Sequence, residues 1–159
     1  MAVDLDTFKR AAGSWVSGVT IVTSRTGGRQ HGMIVTAFCS VSADPPQVLV
    51  CANRGSGTRA VIDEASAFTV NVLAEEQTDL LEIFSGEGRE ENRFEGLDCT
   101  LGVTGCPRIP DALAYLDCSV AQVVESGTHD IYIGLVEAAE VSDLRPLAYF
   151  RRKCRRLET

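Results

Sequence analysis

Ser40, Ser42, Asn53, Ser56 and Thr58 place hydroxyls and an amide along one stretch of chain, and Arg54 and Arg59 add two cations beside them. Side chains of these types can hydrogen-bond a phosphorylated ligand. Ser56 is also placed to cap a short helix running to about Glu64, which would turn backbone N–H groups and Arg54 or Arg59 toward an anion. The same residues equally describe an ordinary capped surface helix. No Walker pattern of glycines followed by Lys and Ser/Thr is present, and no GxGxxG opens a helix after a strand.

Other chemistries find little support. There is no GxSxG elbow and no HExxH, and the two histidines, His31 and His129, lie far apart with no compact Cys/His spacing, so no metal is expected. Cys51 and Cys118 could serve as nucleophiles only if exposed and paired with a base, and both interrupt apolar strand-like runs. The six cysteines contain no CxxC pair, which favours mostly buried, reduced thiols in a cytoplasmic protein over a disulfide framework. What remains is a binding protein, or a cofactor enzyme needing few side-chain proton transfers. A flavin meets that requirement, because its ring carries the hydride chemistry while the protein orients it. Ser40, Ser42, Asn53, Ser56 and Thr58 then become contacts for a ribityl phosphate. His129, read as part of a turn Ser126–Asp130, is either a solvated turn histidine or a partner for a nicotinamide or flavin ring, with Asp130 placed to orient it.

The elements that must position these residues are mostly strands. His31–Asn53 reads as two apolar strands parted by Asp44-Pro45-Pro46, with Gly32, Ser40 and Ser42 allowing a ligand or a backbone to approach closely. Before it, Asp4 caps a helix carrying Leu5, Phe8, Ala11 and Trp15 on one face and ending near Gly18, and Gly27-Gly28 turns a β run back on itself. After it come a strand over Ala67–Leu73, a helix over Glu75–Phe84, and a charged loop over 85–98 read either as a lid or as a solvated loop anchored by Phe94 and Leu97. A hairpin of Ala112–Glu125 with Ile131–Val141 follows, and then a short basic tail, RRKCRR. The chain has 159 residues and a formal net charge of −7. A domain of that size buries roughly 68–70% of its unfolded surface, and the acidic balance argues against nucleic acid as a partner. No apolar run approaches the roughly 20 residues of a membrane span, so no membrane partner is expected. With no linker and no βα rhythm, the expectation is one mainly β domain over residues 1–159, with short helices and a closed or split barrel that hides its strand edges.

The order and spacing of several segments resemble the flavin reductase-like family with an FMN-binding split barrel. They run from FKRAAGSWVSGVTIVTS through HGMIVTAFCSVSADPPQVLVCANRGSGT and FTVNVLAEEQTDLLEIFSG to NRFEG, GTHDIYIGLVEAAEV and PLAYFRRKCRRL. The similarity is greatest to the short reductase components of two-component flavin-dependent monooxygenases. The resemblance implies a Greek-key-like, homodimeric split barrel that reduces FMN or FAD with NADH or NADPH. Its partner would be a flavin-dependent monooxygenase served by diffusible reduced flavin. It further implies cofactor contacts at Gly32, Met33, Val35, Thr36, Ala37 and Ser40, a phosphate-side loop with Asn53, Ser56 and Thr58, and roles for Arg93 and His129, with His129 the catalytic candidate. Ile34, Ala37, Asn92 and Thr128 depart from the family pattern, and Ile34 and Ala37 remove hydroxyls. Two other readings stay open: an oxidase or oxygenase of the same fold acting on its own small substrate, and a noncatalytic flavin-binding dimer.

Overall fold

Branched apolar residues alternating with polar ones dominate the sequence. In the computed structural model, which describes residues 2–85 and 92–158, they form a mainly β fold with short helices. In chain order the elements are α1 (Leu5–Ala12), β1 (Ser17–Gly18), β2 (Thr20–Thr26), β3 (Arg29–Val35), β4 (Phe38–Ala43), β5 (Pro46–Asn53), α2 (Gly57–Ala65), β6 (Ala67–Val72), α3 (Asp79–Ser85), β7 (Thr100–Leu101), β8 (Pro107–Arg108), β9 (Ala114–Ser126), β10 (His129–Val141), β11 (Ala148–Phe150) and β12 (Lys153–Arg155). Among the described residues, seven strands make one antiparallel sheet in the order β3-β2-β6-β9-β10-β5-β4. Its edge strands β3 and β4 are consecutive in the chain, joined only by Thr36 and Ala37.

Val22, Val35, Val50, Phe68, Cys118 and Tyr132, drawn from β2, β3, β5, β6, β9 and β10, meet in one buried cluster. A sheet whose strands all feed one interior has curled, which gives the split-barrel-like arrangement. A second cluster of Val19, Ile21, Leu73, Leu80, Phe84 and Phe94 fills the space outside it. β3 serves both, because its side chains alternate: Met33 and Val35 face the first cluster, while Gly32 and Ile34 face the second. A buried polar knot ties the short β8 to this frame. Asp117 on β9, fully buried, accepts hydrogen bonds from Arg108 Nη2 at 2.6 Å, Thr69 Oγ1 at 2.8 Å and Val103 N at 3.0 Å.

Several expectations need correction. His31–Asn53 makes three strands, not two, because the chain crosses from one sheet edge to the other at Thr36-Ala37. The prolines do not part the strands: Ala43 pairs with Pro46 across a tight turn, and a first strand residue can lack its N–H. α1 has its Asp4 cap, with Oδ1 accepting from Thr7 N at 2.9 Å, but it ends at Gly13, and Gly18 lies in β1. α3 begins only at Asp79. The Gln77 side chain accepts from Ala74 N at 3.0 Å and donates to Pro110 O at 2.8 Å, which holds residues 75–78 in a turn. The hairpin turn is only Gly127-Thr128, so His129 and Asp130 are strand residues. The basic tail is itself a hairpin, β11–β12, turning through Arg151 and Arg152 at φ 49° and 63° and pairing with β1. All six cysteines are free, but only Cys106 and Cys118 are buried and Cys39 is exposed. Of the charged loop over 85–98, residues 86–91 lie outside the described residues, whereas Phe94 packs edge-on against Phe84 with ring centroids 5.4 Å apart.

Candidate functional site

β5 ends where Asn53 offers its own backbone a better partner: its Oδ1 accepts from Gly55 N at 2.8 Å and its carbonyl from Ser56 N at 3.0 Å. Ser56 then caps α2, its Oγ accepting from Thr58 N at 3.2 Å, and the same hydroxyl lies 3.6 Å from Met33 Sδ on β3. Thr58 is buried in the first turn of α2. β10 starts beside this turn. His129 is paired with Asn53 on one side and with Ser126 on the other, and directly paired residues project to the same face of a sheet. Asn53, His129 and Ser126 therefore form an exposed polar row at the mouth of the turn. Ser126 was not expected here, and only the strand register brings it in.

Asp130 does not orient His129. Strand alternation sends it to the opposite, buried face, where its oxygens accept from Arg54 Nε at 2.8 Å and Arg59 Nε at 2.9 Å. Burial works to raise the Asp130 carboxyl, but the hydrogen bonds from Arg54 and Arg59 outweigh it and leave its pKa below the usual carboxylate value. The group beside the imidazole is Thr128, whose Oγ1 lies 2.9 Å from His129 Nδ1. The anion that Arg54 and Arg59 meet within the chain is thus the Asp130 carboxylate.

The remaining candidates are spread around this end. The Ala37 carbonyl accepts from Cys51 N at 3.2 Å, which holds the β3–β4 connector beside β5. Val35 points into the core. Thr36 instead lines a cleft of about 450 Å³ with Val19, Ile34, Leu81, Glu82 and Tyr149. Arg93 Nη1 donates to Gly32 O at 2.9 Å, next to Met33. Ser40 lies on the edge strand β4 opposite Val48, well back along β5 from Asn53, and the structure does not bring it to the row. Neither cysteine is primed as a nucleophile: burial raises the Cys51 thiol, and burial followed by the Asp117 charge pushes Cys118 up to about 12. Among the described residues no helix is long and apolar enough to cross a membrane.

The flavin reductase like domain family matches residues 12–158 of the chain. The Escherichia coli protein FMN reductase (NADH) RutF is 39% identical over 136 residues, covering 86% of this chain and 83% of its own. The crystal structure of a nitrilotriacetate monooxygenase component B homologue from Mycobacterium thermoresistibile superposes with a TM-score of 0.91 at 33% identity, over 96% of this chain and 86% of its own. The Streptomyces globisporus NADH:FAD oxidoreductase, solved with NAD and FAD fragments, gives a TM-score of 0.90 at 28% identity, over 99% and 97% of the two chains.

Proposed function

The chain belongs to the flavin reductase like domain family, and from that premise we propose that it is an NAD(P)H:flavin oxidoreductase that reduces FMN or FAD and supplies the reduced flavin to a partner monooxygenase. Relatives bear the names of both halves of that job, an NADH-dependent FMN reductase and an NADH:FAD oxidoreductase on one side and a monooxygenase component on the other. The observation that carries the reading onto these residues is the convergence of the Asn53–Thr58 turn, Met33, the Thr36–Ala37 connector and His129 at one end of the sheet.

The donor set suits a flavin. Hydroxyl, amide and guanidinium groups at Asn53–Arg59 match a phosphate, and the exposed Thr36–Ala37 backbone beside the Met33 side chain matches a flat ring with a polar edge. When bound, the flavin supplies the ring atom N5 that accepts a hydride from nicotinamide C4. The protein's own part is orientation and polarity. Ser56 and the first turn of α2 hold the phosphate side, aided by Asn53 and Thr58. Gly32, Met33, Val35, Thr36 and Ala37 border the ring, Gly32 and Val35 acting through their backbone. Arg93 steadies that border through the Gly32 carbonyl, and Ser40 extends it along β4. Polar groups aimed at the ring's carbonyl edge favour the negative charge that develops on reduction. His129, exposed on the sheet face, positions the nicotinamide by hydrogen bonding or stacking and is not an obligatory proton donor.

The same proposal treats residues 1–159 as one flavin reductase-like domain in a Greek-key-like split barrel, working as a homodimer in the cytoplasm. Supporting the dimer, α1 buries none of its residues: Leu5 and Phe8 are 62% and 57% exposed, and the nearby Trp15 is 80% exposed, a patch that a second copy would cover. Six free thiols suit a reducing compartment. Delivery of reduced flavin is tested by anaerobic stopped-flow mixing of NADH with the protein and an excess of free flavin. Reduction of many flavins per protomer is expected. Reduction confined to protein-bound flavin would defeat the delivery role, and binding without any reduction would favour the noncatalytic reading.

A further inference from the structure

Glu125 on β9 and Asp130 on β10 face each other directly across the hairpin, a pairing that like charges disfavour. Arg54 bridges them, with Nε 2.8 Å from Asp130 Oδ1 and Nη2 3.0 Å from Glu125 Oε2. The other oxygen of Asp130 accepts from Arg59 Nε at 2.9 Å. Both oxygens of a fully buried carboxylate are thus engaged by the inner nitrogens of two guanidinium groups, one on each side of the Ser56 cap. A second tie runs parallel to the first. Tyr132 donates its hydroxyl to Asp63 Oδ1 at 2.6 Å. Tyr132 follows Asp130 on the same face of β10, and Asp63 follows Arg59 by one turn of α2. Residues two apart on a strand and four apart on a helix repeat on one face at similar intervals, so α2 is seated on β10 in a defined register.

A buried ion pair is a weak source of stability, so fold stability alone does not account for this cluster. What it does is orient two cations. With Nε turned inward on Asp130, the outer edge of each guanidinium is left toward solvent, and the Arg54 and Arg59 side chains remain 40% and 35% exposed. Without the carboxylate between them, two like charges on a turn would repel and swing apart. The planar fork of an arginine recognises phosphate only when its edge is aimed.

We propose that Asp130 is a positioning residue for cofactor binding: it holds Arg54 and Arg59 so that their outer nitrogens meet the phosphate group of the flavin. The proposal rests on the flavin reductase reading above and adds to it a phosphate subsite that begins inside the β9–β10 hairpin. It assigns Asp130 to the cofactor site, although Asp130 touches no solvent.

The test is equilibrium binding, read by flavin fluorescence, of FMN and of riboflavin, which lacks the phosphate. For Asp130→Asn the FMN dissociation constant is expected to rise about tenfold or more, the scale of a charge-assisted hydrogen bond, while that of riboflavin stays unchanged. Asp130→Glu, which keeps the charge, recovers part of the loss. Arg59→Gln, at a half-exposed helix position, repeats the selective loss and carries the test if Asp130→Asn does not fold. Combining Arg59→Gln with Asp130→Asn adds little to either alone. Equal loss for both ligands would mean a merely structural role and overturn the proposal. Tighter FMN binding by Asp130→Asn would mean that the carboxylate competes with the phosphate, and would also overturn it. A raised KM for NADH with FMN binding unmoved would assign the arginines to the nicotinamide cofactor's pyrophosphate instead. Wild-type protein that binds FMN and riboflavin equally would sink this proposal and leave the flavin reading standing, whereas wild-type protein that binds neither would sink both.

Discussion

Gly32→Ala is expected to destabilise the protein through two aromatic rings and not through a ligand. A Cβ built on Gly32 lies 2.6 Å from Phe84 Cε1, 3.1 Å from Phe84 Cδ1 and 3.3 Å from Phe94 Cζ. Neither ring is free to yield, since both are buried and each meets the other edge to face. Overpacking a filled core costs about 1–3 kcal/mol. For a chain of this length each kcal/mol moves Tm by about 2–4 °C, so a fall of about 2–12 °C is expected. The assay is a thermal melt followed by circular dichroism at fixed protomer concentration, because association of copies would shift Tm. Phe84→Leu removes the atoms that clash. It lowers Tm in the wild-type background but costs distinctly less in the Gly32→Ala background, a coupling that a double-mutant cycle reads directly. Wild-type melting of Gly32→Ala would refute this reasoning, as would a loss of stability that Phe84→Leu does not relieve. Unchanged melting with lost FMN binding would show instead that the glycine exists to let the ligand approach.

His129→Ala should raise the KM for NADH by about 2–10-fold, the worth of one hydrogen bond, and leave the dissociation constant of oxidised flavin unchanged; equal activity at subsaturating NADH would reject the positioning role. Asp117→Ala should cost about 3–5 kcal/mol in denaturant unfolding, because Arg108 is left buried without its partner. Burial raises the Asp117 carboxyl, but the hydrogen bonds from Arg108 and Thr69 overcome it and leave its pKa lowered. Its stabilisation is therefore complete above the unfolded carboxylate value of about 3.9 and is lost as pH falls below it. The variant should accordingly lose less further stability than wild type on acidification through that range. Trp15→Glu should convert a dimer to monomers in sedimentation velocity, and an unchanged sedimentation coefficient would place the dimer contact elsewhere.

Much of the frame was legible because local chemistry and tertiary structure agree. Alternation marks β2, β5 and β6, Gly27-Gly28 at φ 55° and 82° makes the expected turn, and Asp4 and Ser56 cap their helices as their side chains suggest. Legibility failed where the decision is made by distant partners. Nothing in Thr36-Ala37 itself announces that the chain leaves one sheet edge for the other. Arg151 and Arg152 are poor candidates for left-handed backbone, and it is the pairing of β11 with β1 and β12 that puts them there. At the site, Asn53 and Ser56 were readable from local turn and cap chemistry. The direction of Asp130 was not, since it depends on the hairpin turning at Gly127-Thr128, and moving a turn by one residue exchanges the two faces of the strand. Two arginines flanking a cap read as a site for an external anion, but the structure supplies an internal one first.

The central claim, that this chain passes electrons from a nicotinamide cofactor to a flavin, is tested most directly by an anaerobic assay crossing NADH and NADPH with FMN and FAD, followed by the bleaching of oxidised flavin absorbance. Enzyme-dependent bleaching with at least one pair is the predicted result, and the same experiment reports which donor and which flavin are preferred. Folded protein that bleaches neither flavin with either donor above the uncatalysed rate would contradict the account.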